Sequence, residues 1–187
     1  MAGVGEVVKA ALVGVLLVLL GGCAAMSEQE CLSTDWYERG VADGRAGHPS
    51  GRIDSYREAC AGVEVRPDIA LWQQGREAGL EEFCQLPLAV ERGLNGYSYS
   101  RVCNDPNYDR LYHSARALGD VRDQIESIDA QFSAREQDLL YNKKLSDQQR
   151  QQLAIEIRNL DRQRDRARDD RGDAERQLDR LRDELGV

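Results

Sequence analysis

Leu153, Ile157, Leu160, Arg164, Ala167, Arg171, Ala174, Leu178, Leu181 and Leu185 recur at intervals that alternate four and three without a slip. Alternating intervals of this kind are the signature of a heptad seam, which commits the segment to a long helix with a helical partner. A second series precedes it. Leu111, Leu118, Ile125, Phe132 and Leu139 recur every seven residues, with Val121 and Ile128 three places on. Arg135 breaks that series, and Arg164 and Arg171 weaken the middle of the later one. Asp105-Pro106 reads as an N-cap followed by Pro at the first helical position. The polar stretch Asn142-Lys143-Lys144, followed by the capping-box pattern Ser146-Asp147-Gln148-Gln149, separates the two series. The expected element is an antiparallel helical hairpin over residues 105–187, with one continuous helix dimerising in parallel as the rival. The second helix is expected to be the longer, its tail packing on the region before the arm or on another chain. Partner contact or self-association is expected through residues 108–185.

The other end of the chain sets location. Ala10 to Leu20 is an uninterrupted apolar run behind a weakly charged start, Lys9 being partly offset by Glu6. The run is too short to span a hydrocarbon core, which needs about 20 residues in helical form, and small residues follow it, as in a signal peptide. Leu20-Gly21-Gly22-Cys23 resembles the lipobox of bacterial lipoproteins. The resemblance implies cleavage after residue 22 and lipidation of Cys23, with two or more acyl chains giving stable anchoring. Ala24, not Asp, follows the cysteine; for a Gram-negative source that implies the outer membrane, periplasmic face.

Four cysteines remain, Cys31, Cys60, Cys84 and Cys103. An even count in an exported chain reads as two disulfides. Their spacings are 29, 24 and 19 residues, with no close-set pair of the kind zinc needs. Of three possible connectivities, Cys31–Cys60 with Cys84–Cys103 is favoured, although the spacing alone leaves the choice open.

Between residues 27 and 103 a loose repeat appears: a large apolar residue, a Gly three or four places on, and a second Gly after that. The units are Trp36 with Gly40, Gly44 and Gly47, then Trp72 with Gly75 and Gly79, then Val90 with Gly93 and Gly96. Gly inside a helix costs about 1 kcal/mol relative to Ala. Two at i and i+4 make a flat face on which a neighbouring helix can approach closely; the same residues also serve as helix caps and turns. Gly40, Gly44, Gly75, Gly79, Gly93 and Gly96 are the expected packing positions. Ser27-Glu28-Gln29-Glu30 should open a short helix. Ile53, Tyr56 and Cys60 follow at helical spacing with Gly62 as the stop, and Asp68 should cap a helix whose buried face carries Leu71, Trp72, Gly75, Gly79 and Phe83. No run reads as a strand, so the fold class is all-α: a small disulfide-stapled Gly-rich helical domain at 23–104, after the signal peptide at 1–22, and then the coiled-coil arm.

Cys31, Asp35-Trp36-Tyr37, Gly40, Asp43-Gly44, Gly47, Tyr56 to Cys60, Pro67-Asp68, Gly75, Gly79-Leu80 and Cys84 resemble a family of uncharacterised gammaproteobacterial lipoproteins, over about residues 20–103. The resemblance implies an envelope location and a small cysteine-bearing fold. It implies no activity, and the arm lies outside it.

Function classes narrow accordingly. A net charge of −8 opposes binding to nucleic acid. His48 and His113 stand apart without a motif, and no Gly-x-Ser-x-Gly or His-Glu-x-x-His occurs. No enzymatic activity, cofactor or metal is expected. The expected role is structural or protein-interacting, at the membrane through the lipid on Cys23. The alternative is a small-ligand module in which Trp36, Tyr37 and Trp72 line a pocket between glycine-faced helices.

Overall fold

The computed structural model describes residues 25–187. Seven helices are found there: α1 (Glu28–Ser33), α2 (Trp36–Arg45), α3 (Arg52–Cys60), α4 (Ile69–Phe83), α5 (Leu86–Leu94), α6 (Pro106–Tyr141) and α7 (Asp147–Leu185). A 3-10 turn, Ala61–Val63, follows α3, and no strand occurs among the described residues. Residues 1–22, read from the sequence as a signal peptide, and Cys23 lie outside them. The chain packs as two units. Unit 1 takes the described residues up to Gly44 and His48–Gly79; unit 2 takes Arg45–Gly47 and Leu80–Val187. The division by packing falls inside α4, whereas the boundary at 104/105 read from sequence follows composition.

Unit 1 is built from short helices whose ends are written in the sequence. Ser27 Oγ accepts from the Glu30 amide while the Glu30 carboxylate accepts from the Ser27 amide at 2.7 Å, so the expected capping box opens α1. Asp68 Oδ1 accepts from Leu71 N at 3.0 Å and caps α4. The stop after α3 differs from expectation. Glu64, not Gly62, takes the left-handed conformation, at φ 56°. The Val65 amide returns to the Cys60 carbonyl at 3.3 Å, closing the turn two residues later than a glycine stop at 62 would. Met26, Cys31, Ile53, Tyr56, Cys60 and Trp72 form the core. On α4 the buried residues include Trp72, Gly75, Gly79 and Phe83, while Leu71 is 44% exposed. Leu71 stands one position off that stripe, about 100° round a helix of 3.6 residues per turn.

Unit 2 carries the arm. Asp105 caps α6 through the Asn107 amide, with Pro106 beginning the helix. Ser146 and Gln149 form the second capping box, at the start of α7. Arg110 pairs with Glu184, Arg122 with Glu175, Asp129 with Arg164, and Arg135 with Glu156. Rising numbers on one helix meet falling numbers on the other, so α6 and α7 are antiparallel. The helices have 36 and 39 residues, about 54 and 58 Å at 1.5 Å per residue. The expected disparity in length is therefore slight. The tail of α7 does pack on the region before the arm: Leu178, Leu181, Leu185 and Val187 join a cluster with Phe83, Ala89, Tyr108, Leu111 and Tyr112.

Candidate functional site

The cysteines pair as Cys31–Cys60 and Cys84–Cys103, with Cα atoms 5.6 and 5.5 Å apart. One bridge lies in each unit. The first ties α1 to the end of α3; the second ties the end of α4 to the segment before α6.

Two glycines bring α2 and α4 into backbone contact in unit 1. A Cβ added at Gly40 would stand 2.1 Å from the Trp72 carbonyl oxygen, and one at Gly75 would stand 2.0 Å from the Tyr37 carbonyl oxygen. Only glycine fits at either place. Gly44 and Gly79 are buried on the same two helices. In unit 2, a Cβ added at Gly93 of α5 would stand 2.5 Å from the Tyr112 carbonyl oxygen, and one at Gly119 of α6 would stand 2.7 Å from that of Leu94. Gly119 escaped the sequence reading. Its signal was the small pair Ala115 and Gly119, one turn apart beside the seam residue Leu118. Gly96 is a correction: it lies past the end of α5, exposed, at φ 70°. The Tyr97 amide bonds the Arg92 carbonyl at 3.0 Å and the Gly96 amide bonds that of Gly93 at 3.2 Å, the left-handed cap that glycine favours.

The close approach at Gly40 and Gly75 leads to the one buried charged residue of the described chain, Asp43, 5% exposed. The Tyr56 hydroxyl donates to both carboxylate oxygens, at 2.8 and 3.0 Å, and the Trp72 indole N–H donates to Oδ2 at 2.8 Å. Cations surround this set without pairing directly with Asp43. Arg52 Nε donates to the Tyr56 hydroxyl at 3.2 Å, and the Arg39 and Arg52 guanidinium groups lie 4.8 and 5.3 Å from the centre of the Tyr56 ring. Arg76 donates to the His48 carbonyl at 2.8 Å, its pKa lowered by burial against an opposing pull from Asp43. A carboxylate removed from water is stable only when its oxygens are bonded, and here both are. Its donors are a phenol and an indole that are themselves fully buried, so the arrangement ties three helices together. Sequence reading placed no role on Asp43. The signal available was a charged residue at i+3 from Gly40 and beside Gly44, on the face the glycines mark as buried.

The three aromatics of the ligand-pocket alternative are not gathered into a cleft. Trp72 has no exposure and is spent on Asp43, Trp36 packs 6.2 Å from the Tyr56 ring, and Tyr37 is 38% exposed. Other residues line concave surfaces. In unit 2 an open groove of about 460 Å³ between α6 and α7 is lined by Arg110, His113, Gln177, Arg180 and Glu184 among others. The Arg110 fork in it is already held by Glu184 at 3.1 Å. No group of His, Cys, Asp and Glu able to hold a metal occurs among the described residues, and none of their helices is long and apolar enough to cross a membrane.

Residues 35–119 match the family described as "Protein of unknown function (DUF2799)". The matched span takes in the Gly40–Gly75 crossing, Asp43 with both its donors, and Gly93 with Gly119. It reaches past residue 103 into α6, whose first turns pack against α5. The chain is also 29% identical over 93 residues to "Uncharacterized protein YfiL" of Escherichia coli (strain K12), covering 48% of this chain and 72% of that protein. No solved structure matches. The outer part of the arm lies beyond the family match.

Proposed function

We propose that this is a lipoprotein of the bacterial envelope, anchored through Cys23 to the periplasmic face of the outer membrane, whose helical arm engages a protein partner. The proposal includes kinship with the gammaproteobacterial lipoproteins over the cysteine-bearing region. Cys31–Cys60 and Cys84–Cys103 support an oxidising compartment, where such bridges persist.

The arm carries the functional part of this reading. Residues 121–172 contribute to neither core cluster; the buried ones, Ile128, Leu153 and Ala167, lie on α6 and α7. Building some 30 Å of paired helix beyond the core gains reach, not stability, by the rise of about 1.5 Å per residue. At the far end Leu140 and Tyr141 are 71% and 77% exposed beside Lys143 and Lys144. Exposed apolar groups next to charge mark contact surfaces better than they serve a solvated tip.

The test is to shorten both helices together, removing 126–167 and closing the hairpin with a short turn, and to compare proteins crosslinked to the full and shortened chains in cells. Loss of specific crosslinks with the arm is expected. An unchanged set would refute the arm's role. Separately, Cys23→Ser should move the protein from the membrane to the soluble fraction; retention in the membrane would refute the anchor.

A further inference from the structure

The fold begins without slack. Met26 is 3% exposed, its sulfur 3.7 Å from Cys60 Sγ. Ala25 packs on the same cluster, and its carbonyl accepts from Arg39 Nη2 at 3.4 Å. Helix α1 starts at Glu28 and is stapled at Cys31 to Cys60. Ala25 is thus part of a rigid body, and Cys23 precedes it by two residues. Two residues reach at most about 7 Å. The headgroup layer on one side of a bilayer is itself roughly 5–8 Å deep, from the difference between the full and hydrocarbon thicknesses. A core tethered that tightly has no room to stand off the surface.

We propose that the Ala25 end of unit 1 is a membrane-contact surface seated in the phospholipid headgroup layer, with Leu32 and Arg39 as its contacting side chains. This rests on the lipid anchor at Cys23. Leu32 is 62% exposed on α1 and held there by the disulfide next to it in sequence. Glu28, one turn earlier, is also exposed. Its carboxylate would lose far more in hydrocarbon than a leucine gains, which stops the face at headgroup depth. Arg39 supplies the polar contact. Its guanidinium lies over the Tyr56 ring, donates to the Ala25 carbonyl and attracts Glu30, while its buried Nε lacks a hydrogen-bond partner. Beside the chain's entry into the bilayer, the group meets lipid phosphate, which a guanidinium fork suits.

The experiment uses the lipidated, mature chain with Leu32→Trp, placed in phosphatidylethanolamine–phosphatidylglycerol vesicles containing a lipid with a nitroxide on its headgroup. The exposure of Leu32 makes the substitution tolerable, and the parent chain supplies the background from Trp36 and Trp72. The added fluorescence should be quenched at least twofold. The same variant with a ten-residue Gly/Ser spacer between Ala24 and Ala25 should lose most of that quenching while staying on the vesicles. Quenching no stronger without the spacer than with it would overturn the contact surface and leave the anchor standing. Mature protein with an unmodified Cys23 by mass spectrometry would overturn both.

Discussion

The Tyr56 hydroxyl donates a hydrogen bond to the buried Asp43 carboxylate at 2.8 Å, and this contact joins α3 to α2. Trp72 completes the set from α4. Tyr56→Phe keeps the ring and its packing but leaves the carboxylate with one donor. Bonds to charged groups contribute about 1.5–3 kcal/mol, and an uncompensated buried charge adds to the loss. Tyr56→Phe should therefore lower the unfolding free energy by that amount, read as a fall of about 1 M in the urea midpoint with an unchanged slope. A midpoint within experimental error of the parent would show that Asp43 is held by something other than this pair.

The glycines of the long and short helices should respond in opposite directions to the same change. At Gly40 and Gly75 an added methyl meets backbone at 2.1 and 2.0 Å, so α2 and α4 must separate. At Gly172 the nearest group is the mobile end of Arg176, at 3.3 Å. Gly172→Ala should stabilise the arm by about 1 kcal/mol through helix propensity alone. Gly40→Ala and Gly75→Ala should each destabilise by roughly 3 kcal/mol or more, at the upper end of overpacking costs. Thermal unfolding followed by circular dichroism decides it. Equal effects at Gly172 and Gly40 would deny the close crossing.

How much of this was legible depended on whether the signal was local. The helix starts at Ser27, Asp68, Asp105 and Ser146 were readable because a cap is decided within four residues of chain. The arm was readable because its period repeats many times. Gly40 and Gly75 announced themselves by the cost of glycine in a helix. Gly96 could not be separated from them, because a capping glycine and a packing glycine look alike until the left-handed φ is known. Asp43 was hidden for a different reason. Its burial depends on Tyr56 and Trp72, 13 and 29 residues away, and no local pattern says that two neutral donors will meet one carboxylate. Leu71 was misplaced by a single position, which on a helix is enough to turn a core residue into a surface one.

Unit 2 should loosen in alkali. Tyr99 and Tyr108, whose rings lie 5.0 Å apart next to Phe83, both have pKa values pushed up to about 12, first of all by burial. For Tyr99, a hydrogen bond with Asp109 pushes the same way. A raised folded-state pKa means that the neutral phenol is favoured by folding. Its contribution is fully present below about pH 10, the unfolded value, and is lost as pH rises towards 12. Ultraviolet titration should show two late-ionising tyrosines whose ionisation coincides with loss of the α7 tail from the Phe83 cluster. Substituting Tyr108→Phe, whose hydroxyl has no hydrogen-bond partner, should remove one late titration and cost little stability at neutral pH. Early ionisation of every tyrosine would contradict the packing of this cluster.

The arm should be weakest where its seam turns polar. Arg164 occupies a seam position, half-buried, with its guanidinium 4.5 Å from the centre of the Phe132 ring and 3.6 Å from Asp129. Its Nη2 also bonds Asp161, while its buried Nε has no partner. Arg171, one heptad on, is exposed. The Arg164 partners Asp129 and Asp161 are half exposed and return to water when Arg164 is removed, so an apolar residue in the seam leaves no buried charge unpaired. Arg164→Leu should therefore stabilise the hairpin, by about 1–2 kcal/mol for the apolar area removed from water. Amide exchange in the parent should be fastest near residues 160–172, where apolar burial is thin, and slowest near Leu111 and Leu178, which sit in the main cluster. Arg164→Leu should slow exchange in the middle without changing it near Leu178. If the variant instead destabilises the arm, the pairs of Arg164 with Asp129 and Asp161 contribute more than the seam lacks, and the polar middle is a device for cohesion. If it stabilises the arm while weakening crosslinking to a partner in cells, the polar seam is there to let the two helices part.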